Sequence, residues 1–259
     1  MGELATGDRN VLIGLLCILA MVYLGAPLVI LFTMTTSPAP RFDEMTAYNT
    51  PPAAQQYINS MFYAIADLGF DGVGGYVMGA HFKNVVSYLT MSSNAARQVT
   101  AVVHVCCTLV SDEWKLQSSS VEFSTRYADK TVIDTNNVAI PSVQRRVSSH
   151  KVFKFPEEND VARLFRMHCA IEDRFGPQLP KCLPEKGGEL AALKDDLRES
   201  CDVQTRLGMM RWDARGEVYR PTVFGAFYMT WRLLFPLKQI LAQMEKSRAR
   251  ALGKTLLAG

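Results

Sequence analysis

The chain is poor in the residues that announce chemistry. It has four histidines in 259 residues, and six cysteines with no regular spacing. Cys17 lies in a long apolar run, Cys106 and Cys107 are neighbours in another, and Cys169, Cys182 and Cys201 are scattered. Adjacent strand cysteines point to opposite faces and do not bridge each other. The dense, even spacing of a disulfide scaffold is missing, so the thiols read as free, mostly buried side chains of a reducing compartment. Cys106-Cys107 also lacks the two-residue spacer of a redox or zinc pair.

Other kits are missing as well. No Gly-x-Ser-x-Gly elbow occurs, and no nucleophile triad can be assembled from sequence position. His81 falls near a turn, His104 in an apolar strand and His150 in a loop. His168 and Glu172, four apart, can share a helix face, but zinc needs at least three protein ligands and no second cluster supplies them. His168 therefore reads as a core histidine. Asp71-Gly72-Val73-Gly74-Gly75 imitates a phosphate loop, yet it follows a helix and opens a strand, the reverse of the order that sets phosphate on a helix N-terminus. It is expected to be a turn. These absences leave no catalytic, cofactor or metal site to name, and they point away from an enzyme. If convergence in three dimensions builds one, His104, His150 and Arg145 are the first suspects.

Charge is also missing, and that absence is informative. No charged residue occurs from Asn10 to Pro40. Residues 11–33, VLIGLLCILAMVYLGAPLVILFT, make about 35 Å of helix, enough to cross a hydrocarbon core of about 30 Å. Gly25 and Pro27 are tolerated in such helices. A cleaved signal peptide has an apolar stretch of only about 7–15 residues. Its nearest small-x-small site, Ser37-Pro38-Ala39, is followed by Pro40. A lipoprotein signal needs a small residue before its cysteine, and Cys17 follows Leu16. An uncleaved single-pass anchor is expected, behind a flank of residues 1–10. Arg9 and Arg41 flank it evenly, so the positive-inside rule is nearly silent. The basic tail and the free thiols favour a cytoplasmic domain.

What is present beyond the anchor is ordinary globular material, 48% hydrophobic and 20% charged over the whole chain, long enough for a sizeable core without disulfides. Residues 34–52 hold four prolines and read as an extended tether. Gln55–Leu68 carries Ile58, Phe62 and Ile65 at near-helical spacing and stops before Gly69. The period then changes to two: Val73–Met78, Asn84–Met91, Gln98–Leu109, Ser120–Tyr127 and Thr131–Thr135 read as strands. Ala128-Asp129-Lys130 turns the last two into a hairpin. The fold class is α+β: a helix packed on an antiparallel meander of about five strands, over residues 53–145.

Residues 146–221 read as a helical segment with a hairpin. Val138–Lys154 is irregular. Asn159 or Asp160 caps a helix whose inner face is Val161, Leu164, Phe165, His168, Ile171 and Phe175, closed by Gly176. Gly188–Leu207 follows as another helix. Met209–Trp212, a turn, Glu217–Arg220 and Pro221-Thr222 then resemble the wing of a winged-helix module. The candidate recognition helix carries five acids against three basic residues, which phosphate repels, so no nucleic acid is expected as a partner. With its anchor, the strand pair RYADKTVIDTNN and the tail YRPTVFGAFYMTWRLLFPLKQI, the chain also resembles bacterial single-pass membrane proteins of unknown function. That resemblance implies no site residues.

The total charge of +3 conceals a basic tail. Residues 222–259 hold six basic side chains against Glu245 alone, leaving the rest slightly acidic. Phe224, Phe227, Tyr228, Trp231, Leu234 and Phe235 give the tail a broad apolar surface. As a second span it would carry Arg232 near its middle, at a cost of about 2.5–3.5 kcal/mol. The expected arrangement is split: Thr222–Phe235 packs on the domain and Pro236–Lys254 lies along the membrane. Trp231, Arg232, Phe235, Lys238, Lys246, Arg248, Arg250 and Lys254 are the expected contacts to anionic lipid or a protein partner. The function expected is a membrane-tethered adaptor, scaffold or accessory module. The alternatives are a small-molecule or lipid-binding domain and an enzyme with an unrecognised site.

Overall fold

A computed structural model describes residues 10–11, 13–15, 17–79 and 84–257; the turn expected at His81 lies outside them. In chain order the elements are α1 (Ile13–Thr33), β1 (Phe42–Glu44), α2 (Pro52–Ala66), β2 (Asp71–Gly79), β3 (Val85–Asn94), β4 (Val99–Val110), β5 (Glu113–Tyr127) and β6 (Val132–Asn136). There follow β7 (His150–Lys154), α3 (Val161–Phe175), β8 (Lys181–Cys182), α4 (Glu189–Arg206), β9 (Met210–Asp213), β10 (Val218–Pro221), α5 (Val223–Leu233) and α6 (Leu237–Leu257). They form two compact units.

The larger unit comprises residues 39–141, 146–198 and 242–259. Its sheet runs in the order β1-β2-β3-β4-β5-β6-β7, with β8 beside the end of β5. Alternation decides which side is core. On β4 and β5 Val99, Ala101, Val103, Val105, Val121 and Phe123 point to one face and are buried. That face packs on Ile58 and Ile65 of α2 and on Leu164, Met167 and Ile171 of α3. Burying each large apolar chain contributes about 1.5–3 kcal/mol. Asp160 caps α3 by accepting a hydrogen bond from the Arg163 amide at 3.1 Å. Ser111 and Asp112, at φ of 50° and 62°, make the two-residue reversal between β4 and β5, where both residues must be left-handed.

The α+β class stands, with instructive differences. β7 lies in a stretch expected to be irregular and pairs with β6 in parallel, so the sheet is mixed. β7 and α3 both belong to the larger unit. β5 starts at Glu113, well before Ser120, because Lys115–Gln117 are exposed on both faces and give no alternation to read. β1 recruits part of the tether onto β2. Residues 71–75, expected to turn, are the start of β2 with a bulge between Gly72 and Gly74. Their missing side chains admit close neighbours: a Cβ on Gly72 would lie 2.7 Å from the Phe62 ring, and one on Gly75 2.6 Å from Met45.

The smaller unit comprises residues up to 38, 142–145 and 199–241. α1 is 21 residues long and apolar enough to cross a membrane, and only 6% of it is buried inside the protein. β9 and β10 form the hairpin expected from the sequence, with Tyr219 opposite Trp212. Thr36 adds to β10 through two 2.9 Å hydrogen bonds with Tyr219. Thr222 caps α5 by accepting from the Gly225 amide at 3.0 Å. Gly225 then lies so close to the chain that a Cβ there would sit 1.8 Å from the Met209 carbonyl oxygen. Cys201, Met209, Met210, Tyr219 and Met229 make the unit's own small core.

Candidate functional site

The tail residues expected to contact lipid or a partner fall into two groups. Trp231 is 41% exposed, and its indole donates to the Tyr23 carbonyl at 2.9 Å. Arg232 donates through Nε to the Ser142 carbonyl at 2.8 Å and lies over the Tyr228 ring at 5.3 Å. Phe235 is 72% exposed, and Lys238 and Arg248 are exposed as well. Arg250 instead forms a two-pronged contact with Glu157, at 2.8 and 2.9 Å, with Lys246 3.5 Å from the same carboxylate. Those two cations hold the Glu157 carboxyl below the usual range, the Arg250 hydrogen bonds doing most. Lys254 lines a cavity with Phe155, Met167 and Arg163. Ala249, Leu252 and Leu256 recur at helical spacing and pack on the larger unit's core, which is why this half of α6 faces protein rather than one continuous outer surface from Pro236 to Lys254.

A group of titratable side chains, of which sequence reasoning singled out only His150, gathers around Glu122 and Asp134. It lies on the sheet face opposite the core. Because Val121, Phe123 and Thr125 point inward, Glu122, Ser124 and Arg126 point outward. β6 sets Asn136 opposite Glu122 and Asp134 opposite Ser124, and β7 brings His150 alongside. Asn136 donates to Glu122 Oε2 at 2.8 Å. His150 Nε2 is bonded to Asp134 Oδ2, while the buried Asp134 Oδ1 has no hydrogen-bond partner among the described residues. Arg126 pairs with Asp196 of α4.

The electrostatics follow from burial and proximity. Loss of water, with the Asp134 charge adding to it, pushes the Glu122 carboxyl up to about 8. The hydrogen bond to Asp134 raises the His150 imidazole against the opposing effect of burial. Glu122 thus keeps its proton near neutrality, beside the hydrogen-bonded Asp134 and His150 side chains. A carboxyl raised in this way by burial and a neighbouring carboxylate is the kind of group found in acid–base centres and proton-sensitive contacts.

Of the suspected residues, His150 belongs to this group. His104 stands on the same outer face between Leu89 and Ser120, three strands from β7, and burial lowers its pKa. Arg145 lies in the smaller unit, its main chain held by Gln204 at 3.0 and 3.1 Å. His168 is a core histidine: fully buried, with Thr125 and Thr135 hydroxyls 3.0 Å from its two ring nitrogens. Burial depresses it to about 4. Glu172 turns to Lys181 at 2.8 Å rather than to a shared ligand. The alternation around Glu122 was the signal available in the sequence; β7, which supplies His150, left none.

The larger unit also carries an apolar groove of about 390 Å³ between α2 and the glycine-rich start of β2, lined by Met45, Ile58, Phe62 and Met91. Set against protein-family models, curated proteins and solved structures, the chain finds no match.

Proposed function

We propose that this chain is a membrane-anchored, non-catalytic accessory module, in which α1 holds the α+β unit at a bilayer surface as an adaptor or scaffold. The observation that carries the reading is α1 itself: 21 uncharged residues, among whose described members Pro27 alone is buried inside the protein. At about 1.5 Å per residue it spans the hydrocarbon core, whereas in water its surface would have no partner. The exposed thiol of Cys182 and the basic tail favour a domain on the cytoplasmic side.

Alkaline carbonate extraction of the full-length protein, with its N-terminus read by intact mass, tests the anchor. The protein should stay with the membranes and keep its first residues. Release into the supernatant, or an N-terminus beginning after Thr33, overturns the reading. Labelling of a Thr46→Cys chain in a C182S background with an impermeant maleimide decides the side. Reaction only after permeabilisation is expected.

The apolar groove supports a second reading, a lipid- or small-molecule-binding domain. Native mass spectrometry of detergent-extracted protein separates the two by the presence or absence of a retained ligand.

A further inference from the structure

We infer that α5 is a lipid-contacting element: its aromatic stripe lies in the domain-side leaflet beside α1, against acyl chains and headgroups. The inference rests on α1 being the anchor and adds a second membrane-seated helix to it.

The first argument is one of length. Every described residue from Asn10 to Val22 is exposed. That stretch is about 20 Å of helix, short of the roughly 30 Å that must be crossed. From Tyr23 onward one face is covered: Tyr23, Ala26, Ile30 and Leu31 are half-buried, and Pro27 is buried. α5 packs along this part of α1. For α1 to span, hydrocarbon must therefore extend past the level at which α5 begins to accompany it.

The second argument is alignment. Thr36, just after α1, pairs with Tyr219, just before α5, and the Trp231 indole donates to the Tyr23 carbonyl. These contacts lay α5 antiparallel to α1. α5 opens level with the end of α1 and closes level with its middle, so Trp231 and the Leu234–Pro236 elbow lie deepest.

The third is chemistry. Residues 222–231 contain no charge. Phe224, Phe227, Tyr228, Trp231 and Phe235 recur three or four apart, with the first, fourth and fifth exposed. Gly225, Ala226, Met229 and Thr230 form the opposite, buried face. Thr230 satisfies its hydroxyl on the Ala226 carbonyl at 2.7 Å. Arg232, the cation that argued against insertion, turns to the Ser142 carbonyl and the Tyr228 ring, which offset part of its cost. Exposed Lys238 stands just beyond the elbow. An aromatic stripe continuous with an apolar anchor is the composition of a bilayer interface.

The test is depth-dependent quenching of Trp231 in full-length protein reconstituted into phosphatidylcholine–phosphatidylglycerol liposomes, with Trp114 and Trp212 replaced by Phe. Blue-shifted emission, roughly two-fold quenched by lipids brominated along the acyl chain, is expected at acyl-chain depth, level with Tyr23. Emission quenched by aqueous iodide and untouched by bromolipid overturns the inference. Photocrosslinking of the wild-type chain with an acyl-chain diazirine lipid is independent of the Trp substitutions. Adducts on residues 223–240 as well as on α1 support the inference, and adducts confined to α1 sink it while leaving the anchor intact. Protein that washes off in carbonate removes the anchor itself.

Discussion

The two units treat their apolar residues in opposite ways. The larger one hides Val103, Val105, Phe123 and Ile133 completely and leaves a polar sheet face outside. The smaller one leaves Phe224 and Phe235 exposed together with most of α1, and its internal core has only a handful of buried residues. A protein in a single solvent gains nothing from the second arrangement. The difference is the one the proposed anchor requires, with water around the sheet and hydrocarbon around α1.

Core substitutions should separate the units most sharply. Phe123→Ala removes a fully buried ring, and is expected to destabilise the larger unit by about 3–5 kcal/mol. Phe235→Ala, at an exposed site, should change it by less than about 0.5 kcal/mol. Denaturant unfolding in mild detergent, followed by circular dichroism, measures both; equal effects would break the comparison. Next, Gly225→Ala sets a methyl against the Met209 carbonyl and should cost about 1–3 kcal/mol, confined to the smaller unit. Hydrogen exchange should accelerate in β9 and β10 and stay unchanged in β4 and β5.

Titration gives a subtler contrast within the larger unit. A carboxyl raised to about 8 in the folded state keeps its proton while the unfolded chain loses it near 4.5, so stability falls as pH rises from the lower value to the higher. The raised His150 acts in the same direction: its contribution is complete below 6.5 and disappears as pH rises through its higher folded value. His168 acts oppositely. It is folded in the neutral form down to about 4, so stability is lost as pH falls below 6.5. Glu122→Gln should therefore flatten the decline on the alkaline side and leave the acid limb untouched. An unchanged alkaline limb would remove Glu122 from the account. Smallest of all, Glu157→Gln breaks an exposed pair with Arg250 and should leave the unfolding midpoint where it was.

Strong periodicity was legible. The charge-free run of α1, the alternation in β4 and in the second half of β5, the Asp160 cap and the wing hairpin could all be read from local order. Elements held by a neighbour rather than by their own pattern were not. β7 is His-Lys-Val-Phe-Lys, polar enough to pass for a loop, and becomes a strand because β6 offers it a parallel edge. Lys246 and Arg250 read as contacts to anionic lipid or a partner, and nothing in the sequence puts Glu157 beside them. Of the outer-face cluster, the alternation placed Glu122, but not the company it keeps.

By itself, then, the sequence determined that a long uncharged helix precedes an α+β unit, because hydropathy and side-chain period act residue by residue. Only the tertiary structure decided which carboxyl is pushed up by its neighbours, which cations are paired, and which helix lies along α1. Those outcomes depend on distances between residues far apart in the chain, and burial changes the cost of charge there without leaving any mark on composition.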